Sequence, residues 1–206
     1  IMKKYLLLFG SALVLAACGS PSDVEVSEEA SSTAAAPSEA ASAVSEETVS
    51  APGKRSNPVA VGQSATWDVI YSDAESNRID GVVTASISNV VRGEEAYNQL
   101  IAANPYNEAA PEGFEWVIFD LKATLDEGSA DDPFNTVNLS VTPVASDGSE
   151  VAQPFYATFE TGTDFGFKDL YQGGTDEGKK GLIVPVGDET LVEITDWNTS
   201  VFFKLN

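Results

Sequence analysis

Beyond Asn57 the chain falls into short runs that alternate apolar and polar residues, the mark of strands with one buried face. Thr66 to Tyr71 is one run and Ile79 to Val91 a longer one. In the second, Val83, Ala85, Ile87, Asn89 and Val91 share a face, opposite Thr84, Ser86 and Ser88. Gly93 ends it, and Glu94 to Ala103 follows as the helical stretch, with Tyr97, Leu100 and Ile101 at i, i+3 and i+4. Two glutamates in its first turn suit the helix dipole, and Asn104-Pro105 stops it. A helix this short must pack on something to persist.

The strongest strand signal is Phe114 to Leu125. Val117, Phe119, Leu121, Ala123 and Leu125 lie on one face; Trp116, Ile118, Asp120, Lys122 and Thr124 lie on the other, apolar first and charged later. Asp120 and Lys122 share that second face and are expected to pair. Val137, Leu139 and Val141 alternate with polar residues, Asp147-Gly148 is a hairpin-type turn, and Val151 to Phe159 reads as the returning strand. Gly181–Val186, Leu191–Trp197 and Val201–Leu205 complete the set. Seven or more short strands with regular turns predict an all-β fold, an antiparallel immunoglobulin-like β-sandwich with one short helix. Trp67, Trp116 and Trp197 are expected to anchor its core. No fixed-period repeat is present.

The texture before Asn57 is different. Lys3 and Lys4 precede an apolar stretch from Leu6 to Leu15, and small residues lead to Cys18. A basic start, an apolar centre and small residues at the cut describe a secretory signal peptide over residues 1–17, with Met2 read as its start. The apolar run is too short to cross a bilayer of about 30 Å as a helix. Leu15-Ala16-Ala17-Cys18 resembles the bacterial lipobox, which implies that Cys18 carries a lipid and becomes the first residue of the mature chain. Residues 18–56, the lipidated cysteine and an acidic Ala/Ser/Glu segment without aromatics, read as a disordered tether. The folded domain is expected over 57–206. As a coil, the tether would average roughly 35 Å end to end.

Charge and composition then narrow the chemistry. The formal charge is -21, and loss of Lys3 and Lys4 makes it -21 - 2 = -23. Such an excess of carboxylates excludes nucleic acid, where cations must replace phosphate counterions. It equally excludes electrostatic adhesion to anionic lipid, leaving the lipid on Cys18 as the membrane contact. The chain has no histidine and one cysteine. Ser-His-Asp triads, Cys-His pairs and His/Cys zinc sites are therefore absent, no internal disulfide can form, and no cofactor is expected. The fold must rest on its apolar core, which a domain of about 150 residues can supply.

The order of a glycine-led strand over Glu112–Leu125, the Ser146-Asp147-Gly148 turn, Asp176-Glu177-Gly178-Lys179-Lys180-Gly181 with Leu182-Ile183-Val184-Pro185, and a closing Val201–Leu205 strand resembles the immunoglobulin-like lipoprotein domains of unknown function from Gram-positive bacteria. Mycobacterial immunoprotective extracellular antigens are similar in fold. The resemblance covers Asn57 to Asn206 and implies a β-sandwich. It brings no catalytic residues, and the Glu94–Ala103 helix and the Asp164–Gly174 segment stand outside its pattern.

Three candidate sites follow from the residues. The segment Asp164 to Gly174 sets Phe165, Phe167 and Tyr171 among glycines and could offer a stacking surface; folding back to cap the core is the competing reading. Tyr97 and Tyr106 flank the end of the helix and could line a second surface. Asp126, Glu127, Asp131 and Asp132 put four carboxylates in seven residues, a weak calcium candidate without the EF-hand spacing. The resulting expectation is a lipoprotein on the extracytoplasmic face of the cell membrane, non-catalytic, whose domain binds an envelope or host protein, peptide or glycan. The alternative is an accessory protein that stabilises a membrane complex of the envelope.

Overall fold

The computed structural model describes residues 51–206 together with the strand Glu25–Ser27. In chain order the elements are β1 (Glu25–Ser27), β2 (Ser64–Ser72), β3 (Arg78–Arg92), α1 (Gly93–Ala103), β4 (Phe114–Glu127), β5 (Phe134–Asn135), β6 (Ser140–Val144), β7 (Asp169–Leu170), β8 (Thr175–Pro185), β9 (Leu191–Thr195) and β10 (Ser200–Lys204). One sheet runs β1-β2-β3-β4-β8, a second runs β10-β9-β6, and β5 and β7 form a short ribbon. All these strand pairs are antiparallel. The molecule is the expected all-β sandwich with one short helix.

The alternation read from the chain accounts for the space between the sheets. Trp67 and Val69 of β2, Val83, Ala85 and Ile87 of β3, and Val117, Phe119, Leu121, Ala123 and Leu125 of β4 face Val192, Ile194, Val201 and Phe203 of the second sheet. Beyond this core β4 is buried on both faces at its start. Trp116 and Ile118 point outward, and with Ile183 of β8 they form a second apolar cluster under Ala96 and Leu100 of α1. Tyr97 packs on its margin, while Ile101 is exposed. Farther along, the same outer face is polar: Thr66, Thr84, Thr124 and Thr175 stand level across four strands, joined in pairs by hydroxyl contacts of 2.7 Å (Thr66–Thr84) and 2.9 Å (Thr124–Thr175). The helix covers only the half of the sheet that needs cover.

A β-bulge decides where the helix sits. Ser88 pairs with Asp120 and Val91 with Ile118, so Asn89 and Val90 together stand opposite one residue. Asn89 adopts φ 50° and is exposed, and its amide donates to Asp120 at 2.7 Å. The expected face of Val83 through Val91 is therefore broken. Val90 continues the main core, and Val91 is turned to the outer cluster beneath α1. Gly93, at φ 67°, then turns the chain into the helix.

Several expectations are corrected. Val151 to Phe159 forms no strand; Pro154 lacks a donor, and the segment instead crosses the outer face as an extended strap with Phe155, Ala157 and Phe159 packed on the second cluster. Side-chain amides do the work of a ladder. Gln153 donates to the Ile183 carbonyl and accepts from its N–H, both at 2.8 Å, and Asn107 does the same for Thr158 at 2.8 and 2.9 Å. Gly181 has no side chain because Ala157 lies against it: an added Cβ would stand 2.5 Å from the Ala157 methyl. Thr136–Asn138 is a 3₁₀ turn that leaves Val137 exposed. Trp67 and Trp116 are core residues, but Trp197 is 83% exposed at the β9–β10 turn. Asp120 pairs with Lys179 at 3.1 Å across β4 and β8, not with Lys122, because cross-strand neighbours are closer than residues two apart on one strand.

The sandwich also starts before Asn57. Gly53 accepts from Phe202 N–H at 2.8 Å, and Val59 lies parallel to β10, donating to Phe202 O and accepting from Lys204 N, each at 2.8 Å. Three residues of the segment expected to be disordered, Glu25 to Ser27, pair with β2. Cys18 and most of the 18–56 segment lie outside the described residues. Truncating Leu100, buried under the helix, is expected to cost about 2–5 kcal/mol. Thermal unfolding of Leu100→Ala should shift down by on the order of 10 °C, with the strand content at low temperature unchanged by far-UV circular dichroism.

Candidate functional site

β8 is the outer strand of the first sheet and β6 the outer strand of the second, so two sheet edges lie side by side on one flank of the sandwich. Between them runs a groove of about 440 Å³. Its floor is Leu139 and Val141 on the β6 side and Gly181 and Leu182 on the β8 side; Tyr156 and Phe167 stand on its rims, 84% and 78% exposed. Two large aromatics so open to water beside one cavity are not core residues.

The loop that carries Phe167 is held from beneath by a buried charge. Asp176, fully buried on β8, accepts from Gly166 N–H at 2.9 Å and from the Thr136 hydroxyl at 2.8 Å. Its other oxygen meets the Lys168 ammonium at 2.8 Å. Lys168 N–H in turn donates to the Thr136 hydroxyl at 3.1 Å, and Thr136 N–H to the Lys168 carbonyl at 2.9 Å. The loop is further laced to the β8 edge, Lys179 N–H donating to Thr163 O at 2.7 Å and Phe165 N–H to Lys179 O at 3.0 Å. Gly178 permits this approach, because a Cβ there would collide with the Asp164–Phe165 peptide. Gly166 (φ 107°) and Phe167 (φ 70°) take left-handed conformations between these ties. Phe165 consequently turns into the main core, and Phe167 turns out.

Lys180 lines the groove with its ammonium 5.6 Å from the centre of the Phe165 ring. Burial pushes its pKa below the ordinary lysine value, only partly opposed by the charges of Asp164 and Asp176. Depressed lysine ionisation means that the folded state binds this proton less tightly than the unfolded chain. Stability from this group is therefore lowest below its folded pKa and rises as pH climbs from there toward the ordinary lysine value of about 10.4.

The residues singled out from the sequence do not gather in one place. Phe167 is on the groove rim, while Phe165 is buried beneath it. Tyr171 is half exposed near the ends of β4 and β8, where Gly173 and Gly174 bond to Leu125. Tyr97 packs on the second cluster, and Tyr106 is 90% exposed past the end of α1. In the acidic loop, Asp126 accepts from the Thr84 hydroxyl and Asp132 from the Ser129 hydroxyl, whose oxygen in turn accepts the Asp131 and Asp132 N–H groups. Among the described residues no three carboxylates come together as a metal-holding group. Tyr156 and Lys180 are new. The alternation of Phe155, Ala157 and Phe159 was the available signal for Tyr156, since a residue between inward neighbours on an extended strap points outward.

Residues 2–18 match the sequence family described as "Prokaryotic membrane lipoprotein lipid attachment site". The chain is accordingly a lipid-anchored, membrane-associated protein. No curated protein matches it. Among solved structures it is similar to the secreted protein MPT63 of Mycobacterium tuberculosis, with a TM-score of 0.44 and 11% identity over 71% of this chain and 97% of that one.

Two outcomes test the site's construction. Asp176→Ala leaves the Gly166 N–H and the Thr136 hydroxyl without their buried acceptor, while half-exposed Lys168 turns to water, and should cost about 1–3 kcal/mol in urea unfolding. Lys180→Met replaces a desolvated ammonium with an apolar chain of similar length and should leave stability at pH 7 unchanged or higher, with the gain shrinking in unfolding curves taken at pH 10.

Proposed function

We propose that this protein is a non-catalytic recognition module held by its lipid on the extracytoplasmic face of the cell membrane, one of the immunoglobulin-like lipoproteins of Gram-positive bacteria. Its partner is an extended peptide or glycan chain of the envelope or of a host surface. The observation that carries this reading is the pair of water-exposed rings, Tyr156 and Phe167, lining a 440 Å³ groove between two sheet edges. Rings so placed supply large, stiff contact area at little entropic cost. The bracing of the Phe167 loop by Asp176 means that little ordering remains to be done on binding. The strand edges beside the groove offer backbone partners to an extended peptide.

The surroundings of Asp120 favour a structural role for it over a catalytic one. Asp120, embedded in an otherwise apolar stretch of β4, is neutralised by Lys179 and hydrogen-bonded to Asn89, whereas glycosidic chemistry needs two acids facing one another across a cleft.

The test is capture from envelope extract on immobilised lipid-free chain. Tyr156→Ala/Phe167→Ala should lose the captured partner, with roughly a 30- to 700-fold weaker affinity if each ring carries about 1–2 kcal/mol. Tyr156→Phe/Phe167→Tyr should keep it. Retention by the double alanine variant, with an unchanged unfolding midpoint, would remove the groove from consideration.

A further inference from the structure

The fold leaves one cation of the groove without a counter-ion. Three of the chain's 11 lysines and arginines, Lys168, Lys179 and Lys180, gather at the β8 edge. Lys168 is held by Asp176 and Lys179 by Asp120. Among the described residues Lys180 makes no ion pair and no hydrogen bond. In register it stands beside Phe119 of β4, so its side chain leaves β8 on the core face, as Leu182 does. There it lies against the Phe165 ring between the two sheet edges, partly buried. The nearby acids are poor partners. Asp176 is engaged by Lys168, Thr136 and Gly166, and Asp164 is exposed to water and salt. An ammonium so placed has lost hydration without gaining a partner, and a carboxylate entering the groove would supply a charge-assisted bond.

The backbone next to Lys180 is unpaired as well. Lys179 turns its N–H and C=O away from β4, to Thr163 and Phe165. Ile183 turns its own the same way, to the Gln153 amide. Alternation along an antiparallel strand gives Gly181, midway between them, the same orientation. Its N–H and C=O have no partner among the described residues, and it has no side chain to shield them.

We propose, resting on the groove as the recognition site, that its partner is an extended peptide whose Asp or Glu carboxylate pairs with Lys180 while a neighbouring residue bonds through its backbone to Gly181. A peptide answers these groups better than a glycan does, because one residue supplies both the acceptor and the donor that Gly181 lacks. The free stretch is a single residue between two closed ones, so the segment crosses the edge and does not lengthen the sheet. A chain of net charge -21 repels a strongly acidic partner, and Asp164 stands at the same groove. One carboxylate among apolar residues therefore suits it, with Leu139, Val141 and the exposed rings meeting the apolar neighbours.

The lipid-free chain, carrying a dye on its single thiol, is applied to an array of random nonapeptides and to a glycan array. Selected peptides should share one Asp or Glu among apolar residues. Replacing that acid by Asn or Gln should weaken the best peptide about 10- to 150-fold in fluorescence anisotropy. Lys180→Met should weaken the acidic peptide by the same factor and leave the amide peptide unchanged, with the unfolding midpoint retained. N-methylation along the peptide should show a sensitive position beside the acid, with a loss of about tenfold. A Lys180→Met variant that keeps the preference for acid, or that only self-associates in sedimentation, would overturn the assignment. So would a methyl scan without a sensitive position, or selection of glycans or of nothing in place of peptides. Where Tyr156→Ala/Phe167→Ala abolishes capture from envelope extract, the groove stands and only this ligand chemistry falls; where capture survives, the groove falls too.

Discussion

Four successive residues of β4, Trp116 to Phe119, are buried, and a strand can bury four in a row only if both of its faces are covered. This constraint organises the molecule. One face is covered by the second sheet, as in any sandwich. The other obliges the chain to bring α1 and the Phe155–Phe159 strap to the outside of the first sheet, and the bulge at Asn89 supplies the turn of face that lets Val91 join them. Where β4 becomes polar, at Asp120, Lys122 and Thr124, the cover ends and the sheet faces water. The strap then has to return along the β8 edge, and its passage there, between Gln153 and Thr163, makes one wall of the groove.

The strands were legible because period-two alternation reports one-sided burial directly, and the two-faced character of β4 was visible in its run of apolar residues. The errors have a common physical origin: alternation registers which side chains are buried, not what the backbone bonds to. Val151 to Phe159 alternates as a strand does, yet it forms no ladder: Asn107 bonds the Thr158 backbone and the Gln153 side chain bonds the Ile183 backbone, contacts across tens of residues that no local pattern announces. Asn89 was read into the face of Val83 because a left-handed residue inside a strand leaves the apolar count nearly intact while flipping everything after it. The groove was half legible. An aromatic cluster in a glycine-rich segment marked the right loop, but Phe165 and Phe167 are equivalent in sequence, and only the ties of Gly166 and Phe165 to β8 decide which ring is inside. Trp197 was assigned to the core on hydrophobicity alone; the turn made by Asp196 puts it in water.

In a chain so acidic, a fully buried carboxylate is an unexpected structural choice. Asp176 is tolerated because its surroundings supply a lysine, a hydroxyl and a backbone N–H within hydrogen-bonding range. Such a node is weak evidence for stability, since an apolar replacement of similar volume could serve as well. Its value lies in geometry. It joins the 3₁₀ turn before β6, the loop before β7 and the start of β8, and so fixes the groove rim to the sandwich.

The two outer edges of the five-stranded sheet are treated in opposite ways. The β2 edge is closed by the chain's own β1 and by Asp196, which removes the unpaired backbone that makes sheet edges adhesive. The β8 edge is closed at Lys179 by the aromatic loop and at Ile183 by the amide of Gln153, leaving between them the stretch around Gly181 that floors the groove. If both edges were fully protected, the domain would be an inert sandwich on a lipid; if both were open, an acidic lipoprotein concentrated on a membrane would pair with its own copies. Closing one edge with a short strand and a carboxylate cap and lining the opposite one with aromatics leaves the β8 side as the place where the sheet still meets water with a ready-made contact surface.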